Sequence, residues 1–251
     1  MFPNPQGALP LPPRPSLEYY KKLAKGLAKA CKSGEAEALG DWARQWTRAI
    51  EGLGGSEDIS EARLDRWARD IEDFARRKLS GSEPAGGKCA LTGAQFVIAR
   101  SHGFESWPKF ARHLEEFARK SSPVSRFEAA ADAIVNGDAA TLKQLLREDP
   151  ELVRARSTRE HGSTLLHYAS ANGVEDYRQK TPKNIVEMVE MLLNAGADFP
   201  DGGLSYSPNG AYLAYGLNLA TGVNVEQIWR VDSNGKHPHK ISGNGTSPSW
   251  G

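Results

Sequence analysis

The side chains best suited to recognition chemistry lie between Arg154 and Arg178. Arg154, Arg156 and Arg159 precede Glu160-His161, Tyr168 follows, and Tyr177-Arg178 closes the stretch. Guanidinium groups present forked N–H donors to carboxylates, so three arginines in one turn suit an acidic partner, and a solvated turn explains them equally well. His167 stands without a nucleophile or carboxylate at a defined spacing, which makes it a poor catalytic candidate and a better structural one. No nucleophile–base pair, phosphate-binding loop or paired carboxylates can be read from the chain. No catalytic residue, cofactor site or metal site is therefore expected, and the protein reads as a non-enzyme. His237-Pro238-His239 lacks further ligands at a credible spacing. Cys31 and Cys89 are the only cysteines, too few and too isolated for a disulfide framework, and they point to a reducing compartment.

The elements that must position these residues run from Gly162 to Asp198. Thr164 can cap a helix on which Leu165, Leu166 and Ala169 form an apolar face, with Gly173 as its stop. Pro182 suits the first turn of a second helix, where Ile185, Val186, Val189, Leu192 and Leu193 make one stripe and Gly196 ends it. The run Thr164-Leu165-Leu166-His167-Tyr168-Ala169, followed by Leu192-Leu193-Asn194-Ala195-Gly196-Ala197-Asp198, resembles one ankyrin repeat, with Leu165 where the family usually has proline. The resemblance implies a structural role for Thr164, Leu166, His167, Ala169, Gly173, Leu192, Leu193 and Gly196, with His167 bonding to nearby loop backbone. It also implies a non-catalytic protein-binding module, whose partner it leaves unknown. Such a module would make its contacts through the turn holding Arg154, Arg156, Arg159 and His161, the first-helix face around Tyr168, and the loop with Tyr177 and Arg178. Residues 174–183 are an excess over the usual repeat, and a functional loop and a tolerated surface insertion weigh equally.

Residues 125–199 form the ankyrin-like part. Phe127, Ala130, Ala131 and Ile134 face one way on its first helix, and Leu142, Leu145 and Leu146 on its second. Residues 17–120 read as an N-terminal helical region of degenerate hairpins. Ala30 to Leu39 aligns with Ala133 to Leu142, each a helix, a glycine turn and a helix with an acid near its start. Tryptophans 42, 46 and 67 fall at core spacing. The block Ala94-Gln95-Phe96-Val97-Ile98-Ala99-Arg100 through Gly103-Phe104-Glu105-Ser106-Trp107-Pro108 resembles the N-terminal part of bacterial ankyrin-repeat proteins. A rival reading of residues 91–119 is a DNA-binding helix-turn-helix followed by a helix bearing Lys109, Arg112, Arg119 and Lys120, although its reading end, Trp107-Pro108-Lys109-Phe110, is mostly apolar.

Residues 1–16 contain six prolines and read as a disordered leader, with Leu11-Pro12-Pro13-Arg14-Pro15 a conceivable groove ligand. Residues 200–251 change to turns and short β runs. Ser207-Pro208-Asn209-Gly210, Ile228-Trp229-Arg230-Val231-Asp232 and Ser247-Pro248-Ser249-Trp250 resemble a single TolB-like, WD40-like propeller blade. One blade cannot close a propeller, so a truncated or fused product, or a fragment of a propeller-linked hydrolase, is implied. The expected fold class is mainly α, with ankyrin-type hairpin repeats, an N-terminal helical region and a small C-terminal β-meander.

Net charge is +1 over 251 residues, distributed as 20 basic against 16 acidic in residues 1–120, 9 against 12 in 121–200, and 3 against 3 in 201–251. No segment has the basic excess of a dedicated nucleic-acid binder. No run approaches a membrane span, the start lacks a signal-peptide pattern, and a cytoplasmic location is the default expectation. Oligomeric state is left open.

Overall fold

Ser16 begins the first helix by accepting a hydrogen bond from the Tyr19 N–H at 3.4 Å, and Gly34 ends it in the left-handed region at φ 72°. This helix, α1 (Leu17–Ser33), buries Tyr20, Ala24, Leu27 and Ala28 along one stripe. The computed structural model describes residues 3–4, 7–51, 60–80, 87–170, 174–197, 204–206, 212–220, 224–232 and 239–242. Of the residues singled out above, Gly173, Asp198, Ser207-Pro208-Asn209-Gly210, His237-Pro238 and Ser247-Pro248-Ser249-Trp250 lie outside these. The described part is mainly α-helical.

The chain divides into two units, each assembled from separate stretches. Unit 1 takes residues 1–129, 157–162 and 173–179; unit 2 takes 130–156, 163–172 and 180–251.

Unit 1 is a layered helical body of α1, α2 (Ala38–Glu51), α3 (Glu61–Ser80), α4 (Leu91–Ser101) and α5 (Trp107–Phe117), closed by the start of α6 (Pro123–Asn136). Trp42, Trp46, Trp67, Ile71, Phe74, Val97, Ile98, Phe104 and Phe110 fill its core, so the tryptophans pack as their spacing implied. Phe104 N–H bonds back to the Ala99 carbonyl at 3.0 Å across Gly103, whose φ is +81°. A methyl at Gly103 would also come within 3.1 Å of the Ala8 side chain, so glycine is required here for conformation and for space.

Two expectations need correction. Residues 7–16 are not a free leader: Ala8, Leu9 and Pro15 are buried. The Leu9 N–H donates to the Ser101 carbonyl at 2.8 Å, and His102 Nδ1 donates to the Leu9 carbonyl at 3.0 Å. The prolines leave few N–H groups to satisfy, and Leu9 supplies the apolar anchor that composition alone hides. The cysteines are also not isolated. Cys31 and Cys89 form a disulfide with Cα atoms 5.5 Å apart, joining the end of α1 to the turn before α4. That turn is itself held by the Cys89 N–H on the Leu79 carbonyl at 3.1 Å. A sequence separation of 58 carries no signal of this proximity.

Unit 2 contains the rest of α6, then α7 (Ala139–Glu148), a 3-10 turn (Pro150–Arg154), α8 (Leu165–Ala169) and α9 (Ile185–Asn194). Asp138 caps α7, accepting from the Thr141 N–H at 3.0 Å and its hydroxyl at 2.6 Å. Gly137 sits at φ +74°, matching Gly34 in conformation, so the internal echo of the two glycine turns is real at the backbone. Asn184 Nδ2 donates to the Gly137 carbonyl at 3.0 Å, which ties the start of α9 to the α6–α7 turn. The second helix therefore starts at Ile185 rather than around Pro182. Its fully buried residues are Met188 and Leu192, with Ile185, Val186, Val189 and Leu193 half-buried.

Also in unit 2, strands β1 (Leu204–Tyr206), β2 (Tyr212–Ala220), β3 (Asn224–Asp232) and β4 (His239–Ser242) pair antiparallel in chain order. Tyr215 stands opposite Trp229 and Tyr206 opposite Leu213, and the β3–β4 register shifts at Ile228/Trp229. Among the described residues no helix is long and apolar enough to cross a membrane.

Candidate partner-binding site

The basic stretch 154–178 separates into two classes of arginine. In unit 2, the 3-10 turn ends at Arg154, and the Arg156 backbone forms an antiparallel bridge with Thr164. Both arginine side chains are exposed on this fixed backbone. A methyl at Gly196 would lie 3.8 Å from Arg154 Nη2, which places this guanidinium beside the C-terminal turn of α9, where cations are favoured.

Below Thr164 the local motif closes on itself. The Thr164 N–H donates to His167 Nδ1 at 3.2 Å and the Thr164 hydroxyl lies 2.9 Å from the same nitrogen. His167 thus acts as the third-position acceptor of a capping box, a task usually given to glutamate or glutamine. Leu166 and Ala169 are buried, and Gly196 adopts φ +89° after α9. Tyr168 is fully buried beside Leu165 and Leu166, so it packs rather than faces a partner.

In unit 1, Arg159 and Arg178 are also buried, each meeting carboxylates. Arg159 Nη1 donates to Glu128 Oε1 at 2.6 Å and Arg178 Nη1 to Glu128 Oε2 at 2.7 Å. Arg159 Nε lies 2.9 Å from Glu175 Oε1, with Arg178 Nη1 and His161 Nε2 each 3.6 Å from the same oxygen. The Arg159 guanidinium stacks 5.7 Å above Phe104, and Arg178 lies 5.5 Å over the Tyr177 ring. Tyr177, half-buried, receives Arg159 Nη2 at 3.5 Å. Arg159, His161, Tyr177 and Arg178 are thus brought together, but as a closed cluster turned inward.

Electrostatics follow from this closure. Burial by itself would raise the Glu128 carboxyl, but the Arg159 and Arg178 charges overcome it and hold the group down at about 2. Glu175 is depressed in the same way, against its burial, chiefly by Arg159. Burial pushes the Tyr177 phenol up. Two guanidiniums against two carboxylates leave no uncompensated charge to offer a ligand, and none of these three groups titrates near neutral pH. Burial also lowers His113 to about 4 and His102 to about 3, keeping both imidazoles neutral. His113 Nδ1 is 2.7 Å from the Thr158 hydroxyl.

Sequence reasoning missed Glu128 altogether. Its signal was present: a glutamate between Phe127 and Ala130 on an otherwise apolar helix face, with arginines elsewhere to answer it. The excess 174–183 is explained in its first half, because Glu175, Tyr177 and Arg178 are cluster members rather than a projecting loop.

The cations of the helix-turn-helix rival stay at the surface, two of them with acids beside them. Lys109 pairs with Glu105, and Arg112 Nε donates to Glu116 at 3.0 Å, each one helical turn apart. Phe104 and Phe110 are buried, so this helix pair uses its apolar side for packing. Compared with known protein families, curated proteins and solved structures, the chain matches none.

Proposed function

We propose that unit 2 is an ankyrin-type helical hairpin that binds an acidic protein partner through Arg154 and Arg156. The observation that carries this reading is the contrast within one stretch of chain. Arg159 and Arg178 are buried against carboxylates, whereas Arg154 and Arg156 lie at the surface, on backbone held by the 3-10 turn and the bridge to Thr164. A forked donor on ordered backbone loses less freedom on binding a carboxylate than one on a loose loop. The capping box of Thr164 and His167, with Gly196 at the helix end, supports the repeat assignment by its local geometry. The antiparallel sheet of β1 to β4 is, in this reading, an appended blade-like element that takes no part in the contact.

The test is site-specific photo-crosslinking in extracts of cells that naturally express the chain. A crosslinker at position 156 should give a discrete adduct that disappears in R154E. A crosslinker at exposed Lys143 should not give it. An adduct of equal yield with and without the R154E change would refute this placement of the surface.

A further inference from the structure

Two helices of unit 1 carry their own N-terminal caps, and a third does not. Ser16 and Ser106 accept hydrogen bonds from the Tyr19 and Lys109 N–H groups at the starts of α1 and α5. Helix α4 starts on Ala90, which offers no side-chain acceptor, and it has Gly93 in its first turn. What stands in front of this helix is the Cys31–Cys89 bond. Cys89 lies one residue before Ala90, at φ +58°, the only described non-glycine residue in the left-handed region. A residue with a Cβ takes that conformation only where its surroundings enforce it.

The bond is one of the enforcing contacts, and two backbone hydrogen bonds assist it. The Cys89 N–H reaches the Leu79 carbonyl at 3.1 Å, and the Ala90 N–H reaches the Gly87 carbonyl at 3.3 Å. The other end of α4 is held differently. Val97, Ile98 and Ala99 are fully buried, and the Ser101 carbonyl accepts from the Leu9 N–H. One end of α4 is thus fixed by the core, and the other by a bond that a reductant can open. Gly93 lies so close to Leu79 that a methyl there would come within 2.9 Å of its side chain, so loosening that end withdraws a cover from the buried Leu79.

We propose that Cys31–Cys89 is a redox switch that sets the order of the first turn of α4. Cys31 is half-buried and Cys89 buried, so a thiolate reaches the bond at the Cys31 sulfur. The reductant is a dithiol. Its first thiolate bonds to Cys31 Sγ as the S–S bond breaks, and Cys89 leaves as a thiolate and takes up a proton. The second thiol then closes on the first as a disulfide and releases Cys31 as a thiol. Two electrons and two protons pass from the dithiol to the two cysteines, and a disulfide oxidant reverses the step. Once reduced, Cys89 loses the tether that holds it at positive φ, and the turn at 87–90 relaxes together with residues 91–94. The switch lies within unit 1 and is independent of the Arg154 and Arg156 reading.

The test is hydrogen–deuterium exchange of the full chain, oxidised and after treatment with dithiothreitol in the absence of denaturant, with the bond state read by thiol alkylation and mass. Peptides covering 87–94 should exchange at least about tenfold faster in the reduced protein, as a locally frayed helix end does. At the same labelling times α5 should stay protected in both forms. Cys31→Ser should show the fast exchange at 87–94 with or without dithiothreitol. Ala90→Ser gives α4 a side-chain cap of its own, so its reduced form should recover about fivefold of the lost protection.

A bond that dithiothreitol opens only in denaturant would be purely structural and would overturn the proposal. Equal exchange at 87–94 in the oxidised and reduced parent would overturn it as well. So would loss of protection in α5 alongside 87–94, because the bond would then brace the whole unit rather than one helix end. A reduced Ala90→Ser protein no better protected than the reduced parent would also overturn it.

Discussion

Two groups of basic side chains in unit 1 have opposite fates. Arg159 and Arg178 are buried with Glu128 and Glu175, while Lys22, Lys25, Lys29 and Lys32 stand exposed along α1. The residue types differ in a way that suits each place. A planar guanidinium can hold two carboxylate oxygens and stack on a ring with little hydration to lose, whereas an ammonium is compact and strongly hydrated. The lesson is that charge becomes structural where buried carboxylates meet it, and stays at the surface where the only nearby acid, as Glu18 beside Lys21, Lys22 and Lys25, is itself exposed.

The comparison can be broken most sharply at the carboxylate. Glu128→Gln leaves two buried guanidiniums short of a counter-charge and should cost about 3–5 kcal/mol in urea unfolding. Loss of under about 1 kcal/mol would mean the cluster is not sealed from water. Reduction of the Cys31–Cys89 bond, or its replacement by serines, should follow with about 2–4 kcal/mol, since it releases a loop of 58 residues. Identical melts with and without dithiothreitol in the parent protein would show that the bond adds nothing.

Gly103→Ala comes next, at about 1–3 kcal/mol, because a methyl there meets Ala8 at 3.1 Å and the backbone lies at φ +81°. A variant as stable as the parent would place the 7–16 segment away from Gly103. On the exposed side, Lys25→Gln should move stability by no more than about 0.5 kcal/mol, and a larger loss would contradict an unused face.

A separate effect is one that neutral pH conceals. His102 and His113 have folded values of about 3 and about 4, below the ordinary imidazole value, so the unfolded chain takes up protons first on acidification. Stability should then fall as pH drops from about 6.5 toward about 4, with a shallower slope in His113→Gln. The depressed Glu128 carboxyl acts later: its contribution is present above the ordinary glutamate range and fades as pH falls from there to about 2. An unchanged slope in His113→Gln would remove that imidazole from the account.

The helical hairpins were legible in the chain because caps and left-handed glycines are local events. Ser16, Asp138, Gly34, Gly137 and Gly196 each act within a few residues of their own backbone. Thr164 was readable as a cap for the same reason, whereas its bond to His167 came only with the structure. Apolar periodicity likewise marked Trp42, Trp46 and Trp67 for the core without naming their neighbours.

What the tertiary structure alone decided is which distant polar groups meet. Glu128 finds Arg159 and Arg178 across 31 and 50 residues, Cys31 finds Cys89 across 58, and His102 finds Leu9 across 93. Nothing in composition or periodicity ranks such pairs, because their energy depends on shared burial, and burial belongs to the packed whole rather than to either residue. By itself the sequence determined which faces are apolar and most of the helix ends, though not the start of α9, which falls at Ile185 and not around Pro182. The fold then decided which arginines of 154–178 are buried and which remain at the surface, because only packing brings Glu128 and Glu175 to Arg159 and Arg178.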